Sequence, residues 1–153
     1  MSAPVYVASI HDMGPGYLAF DLKEILAALK PFIAQYSWRI TGDLDITSNG
    51  ANREIESLVD RADLSSDELE RLSEKIIQTI DGTVVGYPRS ASLPENRCSE
   101  DDVDNFPNSP AQLVIRAFDS SYFEVYAKDK RIVEELPRHF KDVRIENSEL
   151  YFV

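Results

Sequence analysis

The chain is poor in residues that build covalent or metal staples. It has one cysteine, Cys98, and two histidines, His11 and His139, in 153 residues. A lone cysteine closes no internal disulfide, which fits a reducing, cytoplasmic setting. Cys98 has neither a second cysteine nor a histidine at metal-ligand spacing, so zinc has no support. No apolar run approaches the roughly 20 residues that cross a bilayer, which argues against an integral membrane protein. Met1-Ser2-Ala3-Pro4-Val5 has no basic n-region and no long apolar h-region, so no signal peptide is expected. Bases are scarce too: 16 Lys and Arg stand against 27 Asp and Glu, a formal charge of −11. Such a chain lacks the basic surface that displaces counterions from a nucleic acid, so no nucleic-acid partner is expected.

What is present reads as a globule. Hydrophobic residues make up 43% of the chain, and the length suits a single domain over 1–153. The charge is uneven, because residues 52–104 hold 14 acids against 6 bases. That concentration either solvates helical faces or projects a negative field toward a basic partner.

The periodicities alternate between helix and strand. Residues 4–9 are β-branched and aromatic, a strand signal, and 11–16 form a glycine-proline loop. Asp21-Leu-Lys-Glu24 has the form of a capping box, followed by Leu22, Ile25, Leu26, Leu29 and Ile33 on one helical face. Pro31 predicts a kink, or an end near Lys30. Residues 36–47 alternate as a strand broken at Gly42-Asp43, and Ser48-Asn49-Gly50 ends it. Ile55, Leu58, Val59 and Ala62 give a short helix. Ser65-Ser-Asp-Glu68 opens another helix with the stripe Leu69, Leu72, Ile76 and Ile80. Asp81-Gly82 reads either as a hairpin turn or as the gap between that helix and a strand from Thr83; the stripe favours the second.

Residues 88–110 hold four prolines and the run Glu100-Asp101-Asp102-Val103-Asp104, and read as one long exposed acidic loop. Residues 112–127 give the clearest strand signal. With a three-residue loop Asp119-Ser120-Ser121, Phe118 faces Tyr122 and Arg116 faces Glu124. Leu113, Ile115, Ala117, Phe123, Val125 and Ala127 then share one face. Val114, Arg116, Phe118, Tyr122, Glu124 and Tyr126 share the other. Ile132, Val133, Leu136 and Phe140 mark a last helix weakened by Pro137. Residues 143–146 and 150–153 read as two short strands. The expected fold class is α+β, a mostly antiparallel sheet with helices packed on it.

Chemistry is thinly signalled. His11-Asp12 lacks a nucleophile-elbow partner, although Ser9 is near in sequence. His139 reads as a favourable cation near a helix C-terminus. Gly14-Pro15-Gly16 lacks the Lys and Ser/Thr of a phosphate loop. Glu100, Asp102 and Asp104 alternate like the start of a calcium loop without its glycine or closing glutamate. Asp43 and Asp45 are strand-end acids that read as turn formers or exposed charges. No catalytic residue, cofactor or metal is expected.

Binding is better signalled. Phe118, Tyr122 and Tyr126, with Glu124 among them, make one face of a hairpin aromatic and acidic. That combination suits a basic protein, with rings as anchors and carboxylates for steering. The expected binding set adds Glu68, Glu70 and Glu74 from the second capped helix, and Glu100, Asp101, Asp102 and Asp104 from the loop.

In this profile, and in the stretch Leu113-Val-Ile-Arg-Ala-Phe-Asp-Ser-Ser-Tyr-Phe-Glu-Val-Tyr126, the chain resembles bacterial immunity proteins, which neutralise cognate toxins, often basic nucleases. The resemblance implies a cytoplasmic, non-enzymatic inhibitor, a monomer or weak homodimer, that occludes a basic toxin or nuclease domain. The alternative is a small ligand-binding or enzymatic domain built around the His11–Gly16 loop.

Overall fold

A computed structural model describes residues 4–41, 44–48, 50, 52–91 and 93–152. The expected break at Gly42-Asp43, the Asn49 position of the following turn and the Asp43 carboxylate lie outside the described residues. The strands are β1 (Tyr6–Ile10), β2 (Tyr36–Ile40), β3 (Asp45–Ser48), β4 (Leu64–Ser65), β5 (Ile76–Pro88), β6 (Leu113–Phe118), β7 (Tyr122–Ala127) and β8 (Val143–Glu146). The helices are α1 (Leu22–Ile33), α2 (Asn52–Val59), α3 (Ser66–Lys75), α4 (Ser99–Asp104) and α5 (Lys130–Glu135). All eight strands belong to one antiparallel sheet, ordered β4-β2-β5-β6-β7-β1-β8, with β3 pairing β5 off that path. The α+β class read from periodicity is the observed one.

Local signals explain the first helices. Asp21 caps α1 through a full capping box with Glu24, and Ser65 does the same for α3 with Glu68. The apolar stripe of α1 is buried along its length, from Leu22 to Ile33. The helix does not end near Lys30, because Pro31 lies on its exposed side. Ala27, whose carbonyl the proline cannot serve, is itself exposed.

Three expectations need correction. The helix read through Ile80 stops at Lys75, and one 13-residue strand, β5, runs through both the stripe and Asp81-Gly82. Ile76, Ile77, Thr79 and Ile80 are β-branched, and β3 lies alongside to pair them, so tertiary pairing overrides the helical stripe. Asp81-Gly82 makes no hairpin turn: Gly82 sits at φ +149°, where the chain passes under Leu44.

Residues 88–110 are not one exposed loop. They contain α4 and a 3-10 turn at Phe106–Asn108, and Phe106 is fully buried. Finally, the described residues of the expected last strand, 150–152, do not continue the sheet, and Val153 lies outside the described residues. Ser148–Leu150 is a 3-10 turn, and Tyr151 and Phe152 fold onto the rings of Tyr126 and Phe106 instead of pairing with a strand.

The sheet buries both faces unequally. On the first, α1, α2, α3 and α5 cover Ala8, Ile10, Trp38, Val84, Leu113, Ile115, Phe123 and Val125. Trp38 lies at the centre, its indole N–H donating to Ser66 Oγ at 2.9 Å, and that hydroxyl donates to the Ile33 carbonyl at 2.6 Å. On the second face, Val103, Phe106 and Ala111 cover only Val7, Val85, Tyr87, Val114 and Tyr126, with Tyr151 and Phe152 beside them. Toward the other end of these strands, that face leaves His11, Arg116, Phe118 and Tyr122 half-exposed.

The β6–β7 register is the one read from the sequence: Phe118 pairs with Tyr122, Ala117 with Phe123 and Arg116 with Glu124. Asp119 and Ser120 take positive φ of 47° and 57° to close the three-residue loop.

Candidate functional site

The uncovered end of the second face carries the candidate site. Strand alternation puts Ser9 and, just beyond β1, His11 on this face, because β1 pairs antiparallel with β7 and sets Ser9 opposite Glu124. The His11 ring stacks on Tyr122 with centroids 5.0 Å apart, and Tyr122 stacks on Phe118 at 4.9 Å. The Arg116 guanidinium closes the row, 4.6 Å from the Phe118 ring centroid. His11, Tyr122, Phe118 and Arg116 thus form a continuous, half-exposed strip. Burial, and then the nearby Glu124 carboxylate, push the Tyr122 phenol up, so it stays a neutral donor at physiological pH.

Beneath the strip lies a polar ladder. Ser9 Oγ donates to Glu146 Oε1 at 2.9 Å and lies 2.9 Å from His11 Nε2. The Tyr126 hydroxyl donates to Glu124 Oε1 at 2.8 Å. Donation by Ser9 to Glu146 requires the His11 tautomer that carries its proton on Nε2, which then donates to Ser9. That is the reverse of the polarity by which a histidine activates a serine nucleophile. Arg116 and Glu124 are opposite each other as expected, yet no ion pair joins them within 4.0 Å: the carboxylate takes Tyr126 and the guanidinium takes the Phe118 ring.

The expected binding residues divide between two surfaces. Phe118 and Tyr122 lie on the strip, with Glu100 and Asp104 of α4 close by, where they line a hollow of about 60 Å3 together with Arg116, Thr41 and Thr83. Asp101 is exposed on the same short helix.

Glu68, Glu70 and Glu74 lie elsewhere. Their helix, α3, packs Leu69 and Leu72 on the first face, across the sheet from α4, so the two acidic groups form no common surface. Glu68 is occupied by its cap and by Arg61, and Glu70 by Lys30 at 3.6 Å.

Asp102, Glu124 and Tyr126 are buried and are corrections to the binding set. Asp102 takes both nitrogens of the Arg97 fork at 2.7 Å and the Tyr87 hydroxyl at 2.5 Å. Burial alone would push this carboxyl up, but hydrogen bonds from Arg97 and Tyr87 outweigh it and hold it below the usual aspartate range. Burial first, then the Glu124 bond, pushes the Tyr126 phenol well above its ordinary value.

The loop at His11–Gly16 does not gather into a site. Asp12 turns away from His11 to accept the backbone N–H groups of Lys141 and Asp142 at 2.6–3.0 Å. Gly14 N–H closes a small turn onto the Tyr17 carbonyl at 2.7 Å. A hollow of about 390 Å3 touches Asp12, Glu24, His139 and Phe140, but neither His11 nor the glycines. His139 sits past the last helical turn with Nε2 3.1 Å from Glu135 Oε1, close to the place read for it. Among the described residues no group of three His, Cys, Asp or Glu side chains is placed to hold a metal, and no helix is long and apolar enough to cross a membrane.

Sequence reasoning missed His11 as a member of the strip and Ser9 and Glu146 as the ladder beneath it; it placed Arg116 on this face but not in the binding set. Period two already put Ser9 and His11 on one side of β1; what it did not give was β7 and β8 as the neighbours.

Comparison adds a family but no activity. No curated protein and no solved structure matches the chain significantly. A family model described as "Protein of unknown function (DUF2691)" matches residues 18–151, and the chain belongs to that family.

Proposed function

We propose that the protein is an inhibitor-type binding domain that occludes a basic partner, in the manner of the immunity proteins it resembles. The observation that carries this reading is the His11–Tyr122–Phe118 stack: aromatic area held rigid on a sheet, half-exposed, with the carboxylates of Glu100 and Asp104 nearby. Rigid rings lose little entropy on binding and make good anchors, while acids at the rim raise the on-rate. The reversed Ser9–His11 polarity and the dispersal of His11, Asp12 and Gly14–Gly16 favour binding over an enzymatic use of that loop.

The contact set is therefore Phe118, Tyr122, His11 and Arg116 with Glu100, Asp101 and Asp104, and without α3. The partner is a protein with a basic cleft, such as a toxin or nuclease domain, and the host compartment is the cytoplasm.

The test is capture from the native host with wild-type protein and with Phe118→Ala/Tyr122→Ala. A basic protein retained by the wild type, released by salt, lost by the variant and inhibited only by the wild type supports the reading. No basic protein, or one retained equally by the variant, refutes it.

A further inference from the structure

A cleft of about 890 Å3 opens at the opposite end of the same strands, and its charge is opposite to that of the chain. It forms where β1 and β6 begin, where β5 and β7 end, and where α5 starts. Arg89, Lys128, Lys130 and Arg131 line it, against the single carboxylate of Asp129. In a chain of net charge −11, that gathering of cations is the anomaly to be explained.

The fold holds the cluster in place. The Arg89 N–H donates to the Gln35 carbonyl at 3.1 Å and the Lys128 N–H to the Gln112 carbonyl at 3.1 Å, which fixes two of the four positions. The Lys128 ammonium is turned inward, donating to the Ser109 carbonyl and lying 5.1 Å from the Phe106 ring centroid. Arg131 takes Asp129 at 2.7 Å, which satisfies that acid within the wall.

Arg131 is exposed but committed to Asp129, while Arg89 and Lys130 are exposed without so close an ion pair. Lys130 has only a loose contact with Glu134, at 3.9 Å. Gln35, Ser90 and Gln112 add neutral polar groups to the lining, with Tyr6, Tyr36 and Pro88.

From this we propose that the cleft binds a phosphorylated small molecule, its phosphate between Arg89 and Lys130 and its uncharged body against the amides and Tyr36. The volume exceeds what a lone phosphate needs and falls in the range of sites for cofactor-sized ligands, roughly 300–1,000 Å3. The site is independent of the aromatic strip, and its test does not depend on that reading.

Calorimetric titration with inorganic pyrophosphate and with ATP, on wild type and on Arg89→Ala/Lys130→Ala, tests it. One-to-one binding, tighter for ATP and weakened about ten-fold or more in the variant, is the expected result. Arg53→Ala/Arg71→Ala removes equal charge from the distant α2 and α3 and should bind like wild type. Absence of binding at millimolar probe, equal affinity for the two probes, or equal weakening in both double variants overturns the proposal. All four side chains are exposed, so circular dichroism should show each variant folded.

Discussion

Replacing Asp102 with alanine should destabilise the protein by about 1–4 kcal/mol. The carboxylate is 4% exposed and is the partner of two groups that differ in what they lose. Arg97 is one-third exposed, so its guanidinium can rehydrate, and its share is under about 1 kcal/mol. Tyr87 is 1% exposed, and its hydroxyl would be left buried without an acceptor, a cost of about 1–3 kcal/mol. Urea unfolding, followed by the fluorescence of the one tryptophan, Trp38, reads the sum.

The double variant Asp102→Ala/Tyr87→Phe removes the orphan and should regain about 1–2 kcal/mol over Asp102→Ala alone. A loss below about 0.5 kcal/mol, or no regain from the phenylalanine, would refute the reasoning. The pH dependence follows from the same group. The folded Asp102 pKa lies below its ordinary value of 3.8. Its contribution is therefore complete above that value and is lost as the pH falls below it. In Asp102→Ala the acid limb of the stability profile should be shallower.

Three further substitutions test the frame. Asp21 caps α1 and also accepts the Thr79 N–H at 2.7 Å and hydroxyl at 2.6 Å, so Asp21→Ala should cost about 2 kcal/mol, the upper end for a cap, in urea unfolding. Ser66→Ala leaves the Trp38 indole N–H buried without its acceptor; a loss of about 1–3 kcal/mol with altered Trp38 emission is expected, and unchanged emission would count against the bond. Gly82→Ala places a methyl 2.6 Å from Leu44 Cδ1 and 3.2 Å from Leu44 Cα at a φ of +149° that L-residues avoid, so the melting temperature should fall by several degrees.

Legibility in the sequence followed the range of the interaction. Capping boxes at Asp21 and Ser65, and the register of β6 on β7, rest on contacts a few residues apart and were readable. The stripe through Ile76 and Ile80 misled because β-branched residues fit either period, and the deciding neighbour, β3, is fixed only by the tertiary fold. The burial of Phe106 and Asp102 could not be read from a proline-rich acidic segment, since it depends on a hydrophobic face that four separate strands assemble. The aromatic pair Phe118 and Tyr122 was visible; its extension to His11 required β1 beside β7. Lys128-Asp129-Lys130-Arg131 puts three bases in four residues, but only the fold brings Arg89 of a distant segment to the same cleft.

The position of β1 has a consequence for biogenesis. It lies between β7 and β8, so both of its hydrogen-bonding neighbours are synthesised more than a hundred residues after it. During translation β1 must wait unpaired, and when β7 emerges its outer edge stays open until β1 arrives. Until β7 has emerged from the ribosome, the nascent chain holds β1 with neither of its partners, which makes that interval the one in which a chaperone would matter most.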